Sequence, residues 1–278
     1  MRTTRCVGRA LVAATLMLAL ARTASAASFT WGGGGGDNYA STAANWTNNA
    51  APSAGADIIL DATTNKSMTW NMTNMTIASW TQVGYLGTVT VATVYGTNGF
   101  TNLSISGNCT ISNGVWTHGV NPSTVTNVNN ELYRLRVSIG GNLIVGTNAA
   151  VDVTGKGYVL QTGPGGGLSG RVGGSYGGPA HDEANVSGTY KPSGPCYGSI
   201  IAPTNLGSGG SDSGDSGGGA ILLSVAGEIR NDGLICADGI YKTVAQGYDS
   251  GSGGSIYMTA GTLTGSGRIR ANGGVCTR

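Results

Sequence analysis

The residue types that most often carry out acid–base or metal chemistry come together in His181-Asp182-Glu183. An imidazole and two carboxylates are suited to proton transfer or to holding a cation. The three residues are adjacent in a glycine-rich segment, whereas catalysis needs groups that a rigid surrounding structure holds in place. We therefore interpret the cluster first as a solvated polar loop, with catalysis and metal binding as open alternatives.

Two further acidic patterns are candidates for chemistry. Asp212 and Asp215 lie among glycines, as in calcium-binding nonapeptide repeats, but the pair occurs once and outside the required frame. Glycoside hydrolysis needs two carboxyl groups about 5–9.5 Å apart. Asp152 aligns with Cys236 and Arg270 of other repeats, so no acidic column forms. The sequence predicts no catalytic residue, no cofactor and no metal site.

Four cysteines follow the N-terminal segment: Cys109, Cys196, Cys236 and Cys276. No CxxC or Cys/His spacing typical of metal sites occurs, and the disulfide pairing cannot be read from the sequence. The repeat alignment predicts that Cys109 faces the core as a small apolar group. It predicts that Cys236 faces outward, as an idle surface thiol or a crosslinking site.

The N-terminus has the pattern of an export signal. Arginines precede an apolar run over residues 10–21, and Ala24-Ser25-Ala26 supplies small residues for cleavage. The run is shorter than the roughly 20 residues that a membrane-spanning helix needs. We therefore predict a signal peptide over residues 1–27 and a secreted or cell-surface protein.

Cleavage of that peptide would change the sign of the net charge. It removes four of the 15 basic residues, and the remaining 11 face 13 acidic ones, giving −2. No basic cluster remains that would suit nucleic acid. The sequence therefore excludes nucleic acid as a partner.

Short alternating strands must position any functional side chain. Gly218–Gly239 (GGAILLSVAGEIRNDGLICADG) and Gly253–Gly273 (GGSIYMTAGTLTGSGRIRANG) repeat one pattern of strands joined at glycines. A repeated unit that cannot bury its own apolar face must stack on its neighbours. We predict an all-β fold, a right-handed parallel β-helix (β-solenoid) with glycine-rich loop insertions.

The alignment of three repeats assigns side chains to faces, because alternate residues of a strand point to opposite sides. Three triplets are predicted to face the core: Leu135, Val137 and Ile139; Ile221, Leu223 and Val225; Ile256, Met258 and Ala260. A second inward set is Val151 and Val153; Ile235 and Ala237; Ile269 and Ala271. The residues between the first triplets are predicted to face outward: Arg136, Ser138, Leu222, Ser224, Tyr257 and Thr259.

The pattern divides the chain after the signal peptide into four regions. Residues 28–61 are predicted to cap the stack; in the alternative interpretation, Trp31 and Trp46 expose their rings as a sugar-stacking surface. Residues 62–160 form coils, 161–219 a glycine-rich loop insertion, and 220–278 incomplete repeats. Long loops of this kind are commonly functional or mobile.

Two stretches resemble a known class of proteins. TWGGGGGDNYASTAANW, followed by GADIILD, resembles the start of secreted bacterial autotransporter-passenger-like proteins. GGSYGG with the two repeats is similar to glycine-rich repeats of very large, adhesin-like surface proteins of environmental bacteria. The resemblance implies a right-handed parallel β-helix that is exported and displayed or shed, with adhesive or matrix roles. Because the sequence stops at Cys276-Thr277-Arg278, just after a repeat, we expect it to be a fragment or a truncated reading frame.

The sequence thus favours a non-enzymatic structural or adhesive β-solenoid whose partner is a cell-surface or matrix polysaccharide. The alternative is a carbohydrate-active β-helix enzyme, a polysaccharide lyase or glycoside hydrolase, or a fragment of one. A third hypothesis is a glycine-rich spacer without a ligand. The ligand, the anchoring mode and the oligomeric state are not predicted.

Overall fold

The computed structural model describes residues 26–73, 75–167, 172–181, 183–184, 190–211, 215–240 and 250–274. The predicted signal peptide lies almost wholly outside these residues. Within them the fold is all-β, with one single-turn 3-10 helix, Ala43–Asn45. The strands are β1 (Ser28–Thr30), β2 (Asp57–Leu60), β3 (Met68–Trp70), β4 (Thr76–Ile77), β5 (Ser79–Gln82), β6 (Thr88–Val91), β7 (Leu103–Ile105), β8 (Cys109–His118), β9 (Leu135–Ile139), β10 (Leu143–Asp152), β11 (Glu183–Ala184), β12 (Tyr190–Lys191), β13 (Ala220–Val225), β14 (Glu228–Asn231), β15 (Leu234–Cys236), β16 (Ser255–Thr259), β17 (Thr262–Thr264) and β18 (Arg268–Arg270).

Two large sheets are built from parallel strands. In the 11-stranded sheet, β1-β2-β5-β8-β10-β14-β17 pair in that order, β3 and β6 extend to the later half of β8, and β15 and β18 continue from β10. The five-stranded sheet has the order β4-β7-β9-β13-β16. Pairing within both sheets is parallel, and β11–β12 is a short antiparallel pair. Strands distant in sequence therefore lie side by side.

The predicted register between repeats is confirmed. Ile221 pairs with Leu135 on one side and with Ile256 on the other. Leu143 likewise pairs with Cys109. A slip of one residue would have reversed every face, so the apolar alternation alone was enough to align these strands.

Buried tryptophans pack against one another in the core beside β3, β5 and β8. The ring centroids of Trp70 and Trp80 lie 5.3 Å apart, and those of Trp80 and Trp116 lie 5.0 Å apart, both edge to face. The side-chain oxygen of the buried Gln82 accepts hydrogen bonds from Nε1 of Trp116 at 2.9 Å and of Trp80 at 3.4 Å. Burial of such rings, with their N–H groups paired, is a major stabilising contribution.

The last strands differ from the prediction. Ile256 and Met258 are only half-buried, Ala260 and Ala271 are exposed, and Ile269 is 42% exposed. These side chains have the predicted register, but β16 and β18 each have a paired neighbour on one side only among the described residues. Without a further strand to cover them, inward-facing positions stay in contact with solvent.

The N-terminal region buries both of its tryptophans. Trp31 and Trp46 pack edge to face with centroids 5.4 Å apart and are at most 2% exposed, so the alternative of an exposed sugar-stacking surface is wrong. Lys66 holds the glycine run in place, because its ammonium donates to the carbonyls of Gly33 at 2.8 Å and Gly35 at 2.6 Å. Through β2 the region joins the 11-stranded sheet at β5; its role as a cap stays a prediction.

The predicted loop insertion is packed to an unexpected degree. Its described parts and a later segment consist largely of buried glycines without helix or strand, over residues 163–167, 172–176, 206–211, 215–219 and 250–254. We call these five segments the glycine bundle. Backbones can approach this closely because glycine has no Cβ.

Hydrogen bonds between segments hold the glycine bundle together. The N–H of Gly218 donates to the carbonyl of Ser252 at 2.9 Å, and the N–H of Gly207 donates to the carbonyl of Gly218 at 2.9 Å. Gly174 likewise donates to Ser250 at 2.9 Å. Since buried backbone groups must be paired, these bonds explain how a strand-poor segment packs against the sheets.

Candidate functional site

The outward side of β9, β13 and β16 carries two columns of side chains, and we call it the outer face. Because these strands are parallel and in register, each column contains one residue from every strand. Their side chains are exposed or half-buried, as predicted. The first column is Arg136, Leu222 and Tyr257, and the second is Ser138, Ser224 and Thr259.

The two columns line a shallow groove of about 300 Å³. The Thr259 hydroxyl donates to the Ser224 hydroxyl at 3.3 Å. The Ser138 hydroxyl donates to the side-chain oxygen of Asn102 at 3.1 Å, and the Asn102 amide donates to Ser104 at 2.8 Å. Hydroxyl groups therefore continue onto the neighbouring strand β7, forming a polar strip across the sheet.

Positive charge lies at one end of the outer face. Arg136 is exposed, whereas the guanidinium of Arg134 lies over the Tyr95 ring, 4.5 Å from its centroid. Burial lowers the pKa of Arg134, and the neighbouring Arg136 charge acts in the same direction. This set of groups can bind a polar ligand. The hydroxyls and the guanidinium supply hydrogen bonds and charge, and the aromatic ring supplies a stacking surface.

A second depression of about 490 Å³ opens beside the glycine bundle. Its walls are mainly the backbone of residues 173–174 and 250–254, and the exposed His181 lies among its lining residues. Asp182 and the side chain of Glu183 lie outside the described residues. The predicted His181-Asp182-Glu183 cluster therefore stays a prediction, and the cleft itself offers mostly backbone groups.

Among the described residues, the other acidic candidates form no pair of carboxylates. Asp152 pairs in register with Cys236, and Cys236 with Arg270, as predicted, so the column is not acidic. Asp215 is buried and Asp212 lies outside the described residues. In the part of the chain that the structure describes, no three His, Cys, Asp or Glu side chains are close enough to hold a metal ion.

The prediction for one of the two assigned cysteines is wrong. Cys109 is fully buried, as predicted, and burial raises the pKa of its thiol well above the ordinary value. Cys236 was predicted to face outward but is also fully buried. Its sulfur lies 3.2 Å from the Thr154 hydroxyl, just after β10, and 3.4 Å from Nε of Arg270 on β18, so these two side chains cover it. Cys196 is exposed, and Cys276 lies outside the described residues.

Two buried titratable groups carry no signal in the sequence. His118 ends strand β8 with an ordinary strand pattern around it, and Glu131 lies in a polar Asn-rich segment, so neither position indicates burial. The Glu131 carboxyl accepts hydrogen bonds from the Tyr158 hydroxyl at 2.8 Å, the Leu206 N–H at 3.0 Å and the Asn205 amide at 3.1 Å. Burial raises the pKa of Glu131, although these hydrogen bonds oppose that change.

His118 is held as a neutral imidazole. Its Nδ1 donates to the Gly119 carbonyl at 2.7 Å, and its Nε2 accepts from the Ala220 N–H at 3.2 Å. Burial lowers the pKa of His118 from 6.5 to about 4. The ring therefore links the end of β8 to the start of β13 only while it remains unprotonated.

The contribution of His118 to the stability of the fold is expected to fall as the pH drops from about 6.5 to about 4. Over this range the unfolded chain binds a proton at His118 that the folded chain excludes, so the His118 contribution of about 3 kcal/mol is present above pH 6.5 and lost by pH 4. Urea unfolding midpoints across this range measure the effect. In the His118→Gln variant, stability should decrease less between pH 6.5 and pH 4. An unchanged pH dependence of stability would contradict the conclusion that His118 is held as a neutral, buried imidazole.

Comparisons with family models, curated proteins and solved structures found no match for the chain. Among the residues that the structure describes, no helix is long and apolar enough to span a membrane. The geometry of the outer face, with its groove and hydroxyl strip, makes it the candidate functional site.

Proposed function

We propose that this chain is a secreted or surface-displayed, non-enzymatic β-solenoid that binds polysaccharide through its outer face. In this proposal it is a right-handed parallel β-helix of the autotransporter-passenger-like, adhesin-like class. The proposed binding site is the groove on β9, β13 and β16. The sequence similarity between its repeats and the parallel pairing of its strands support the architecture.

Contacts that recur at a constant sequence separation support the solenoid. The Asn108 side chain accepts from the backbone N–H of Asn142, 34 positions later. The Asp232 carboxylate accepts from the N–H of Ser266, and the Asp238 carboxylate from that of Asn272, both also 34 positions later. A recurrence of this kind before and after the glycine-rich segment is typical of coils stacked on one another.

The chemistry of the groove supports binding of sugars without cleavage. The ring of Tyr257 can stack on the apolar side of a sugar, while Ser138, Ser224 and Thr259 can exchange hydrogen bonds with its hydroxyls. A long polysaccharide repeats the same contacts along the strip, and many weak contacts add up to useful avidity. These features suit an adhesin better than an enzyme that transfers protons.

Loss of the aromatic ring should weaken binding to insoluble polysaccharides. We expect Tyr257→Ala to lower the affinity about fivefold, because ring stacking contributes about 1 kcal/mol. The assay is co-sedimentation with a polysaccharide panel, with newly released sugar ends measured in the same tubes. Tyr39→Ala is the matched control, since Tyr39 is an exposed aromatic residue in the N-terminal region.

Each outcome of this assay has a definite meaning. Binding without sugar release that depends on Tyr257 but not on Tyr39 would support the proposal. Sugar release that persists after repurification would favour the carbohydrate-active enzyme instead. Absence of binding to every polysaccharide in the panel would contradict the proposed function and favour a spacer.

A further inference from the structure

We infer that the groove of the outer face selects acidic polysaccharides, with a carboxylate of the glycan bound at Arg136. The inference rests on the proposed function and adds the charge of the ligand to it. Its starting point is the difference between Arg136, in the groove, and two exposed arginines that are paired with carboxylates, Arg230 and Arg270.

The side chain of Arg136 is exposed on the outer face. Arg230 and Arg270 are paired with the carboxylates of Asp232 at 2.7 Å and Asp238 at 2.8 Å. The guanidinium of Arg136, by contrast, makes no hydrogen bond or ion pair with any part of the chain that the structure describes. A guanidinium with five unused donors is suited to bidentate binding of a carboxylate.

The surroundings of Arg136 add positive charge. Arg134 lies close enough for its charge to interact with that of Arg136. The carboxyl group that also interacts with Arg134 is Glu131, whose oxygens accept hydrogen bonds from Tyr158, Leu206 and Asn205 in the interior. Arg134 itself is half-buried over the Tyr95 ring, so the exposed guanidinium of Arg136 is the positive group that a ligand in the groove can reach.

The columns place this charge at a useful distance from the stacking ring. Arg136 and Tyr257 lie in the same column on β9 and β16, with Leu222 of β13 between them. Neighbouring strands are about 4.8 Å apart, so the two backbone positions are about 10 Å apart. A polysaccharide along the column can stack one sugar on Tyr257 while a nearby uronate reaches Arg136, beside the hydroxyl column.

The test compares two forms of one polymer. Polygalacturonate carries a carboxylate on each sugar, whereas its fully methyl-esterified form has the same backbone without charge. In calcium-free buffer at low salt, we expect the protein to bind polygalacturonate at least tenfold more tightly. Raising the salt concentration should weaken binding of polygalacturonate and leave binding of the ester almost unchanged.

Variants separate charge recognition from binding in general. Arg136→Gln should remove the preference for polygalacturonate while keeping binding of the ester. Arg230→Gln, at an exposed arginine of the other sheet, should keep the preference. Equal binding of the two polymers, or a preference that survives Arg136→Gln, would overturn the inference but leave the proposed function intact. Absence of binding to both polymers and to all neutral polysaccharides would overturn both.

Discussion

The substitution Gly218→Ala is expected to lower the free energy of unfolding by at least about 3 kcal/mol. An added Cβ at Gly218 would lie 1.9 Å from the carbonyl oxygen of Ala237 and 2.4 Å from the backbone nitrogen of Gly254. Both are backbone atoms, so no side-chain rotation can relieve the overlap. Overpacking in a close-packed interior typically costs about 1–3 kcal/mol, and more where neighbours cannot move.

The neighbours of Gly218 are themselves fixed. Gly218 donates to Ser252 and accepts from Gly207, while the N–H of Gly254 donates to the carbonyl of Ala237 at 2.7 Å. A shift that made room for the methyl group would break some of these bonds and leave buried backbone groups unpaired. The glycine bundle is therefore expected to loosen as a unit.

Gly177→Ala is the matched control for this prediction. Gly177 lies in the same glycine-rich region, but an added Cβ there has no atom within 4 Å. We expect its free energy of unfolding, from urea titration, to stay within about 1 kcal/mol of that of the original protein, because alanine mainly restricts the unfolded chain. Equal midpoints for Gly218→Ala and Gly177→Ala would show that the glycine bundle is not close-packed in solution.

The strands could be predicted from the sequence because their side chains have a period of two. Val, Ile and Leu at alternate positions indicate which residues face the core, and this pattern alone aligns Leu135 with Ile221 and Ile256, the register that the sheet has. The alignment also places Cys109 correctly. Burial gives a repeated signal in strands, since most of the buried positions are apolar.

The glycine bundle could not be predicted in the same way. Glycine has no side chain to show a period, so a packed segment and an open loop look alike in sequence. The prediction for Cys236 failed for a different reason, since its alignment was correct and its burial depends on the side chains of Thr154 and Arg270. Neighbouring side chains can bury a residue that points outward from its strand, and the alternation of apolar and polar residues along the strand does not indicate this.

The candidate site was only partly visible in the sequence. The alignment predicted that Arg136, Leu222 and Tyr257 face outward, and they do. It did not predict that these residues line a groove, because a groove depends on the relative heights of side chains. The lack of a carboxylate partner for Arg136, among the described residues, likewise required the three-dimensional structure.

Replacement of the buried Glu131 is the second change with a large expected effect. Glu131→Ala would leave the Tyr158 hydroxyl and the Leu206 N–H without their acceptor, the Glu131 Oε1 atom. Each buried donor left unpaired costs about 1–3 kcal/mol. We therefore expect a loss of about 3–5 kcal/mol, measured as a shift of the urea midpoint.

Glu131→Gln is the control, because it keeps the shape and one oxygen acceptor. Its oxygen can still accept from Tyr158 and Leu206, and Asn205 can turn its own amide to accept from the new N–H, so we expect a loss of about 1 kcal/mol.

The pH dependence gives a second test. Because burial raises the pKa of Glu131 above 4.5, stability from this group is present below pH 4.5 and falls as the pH rises through the folded-state pKa. The Gln variant does not lose stability in this way. The difference in free energy of unfolding between the original protein and the variant should therefore be largest in acid and shrink towards neutral pH. A deficit that grows with pH would mean that the ionised carboxylate, held by its three donors, is the stabilising form.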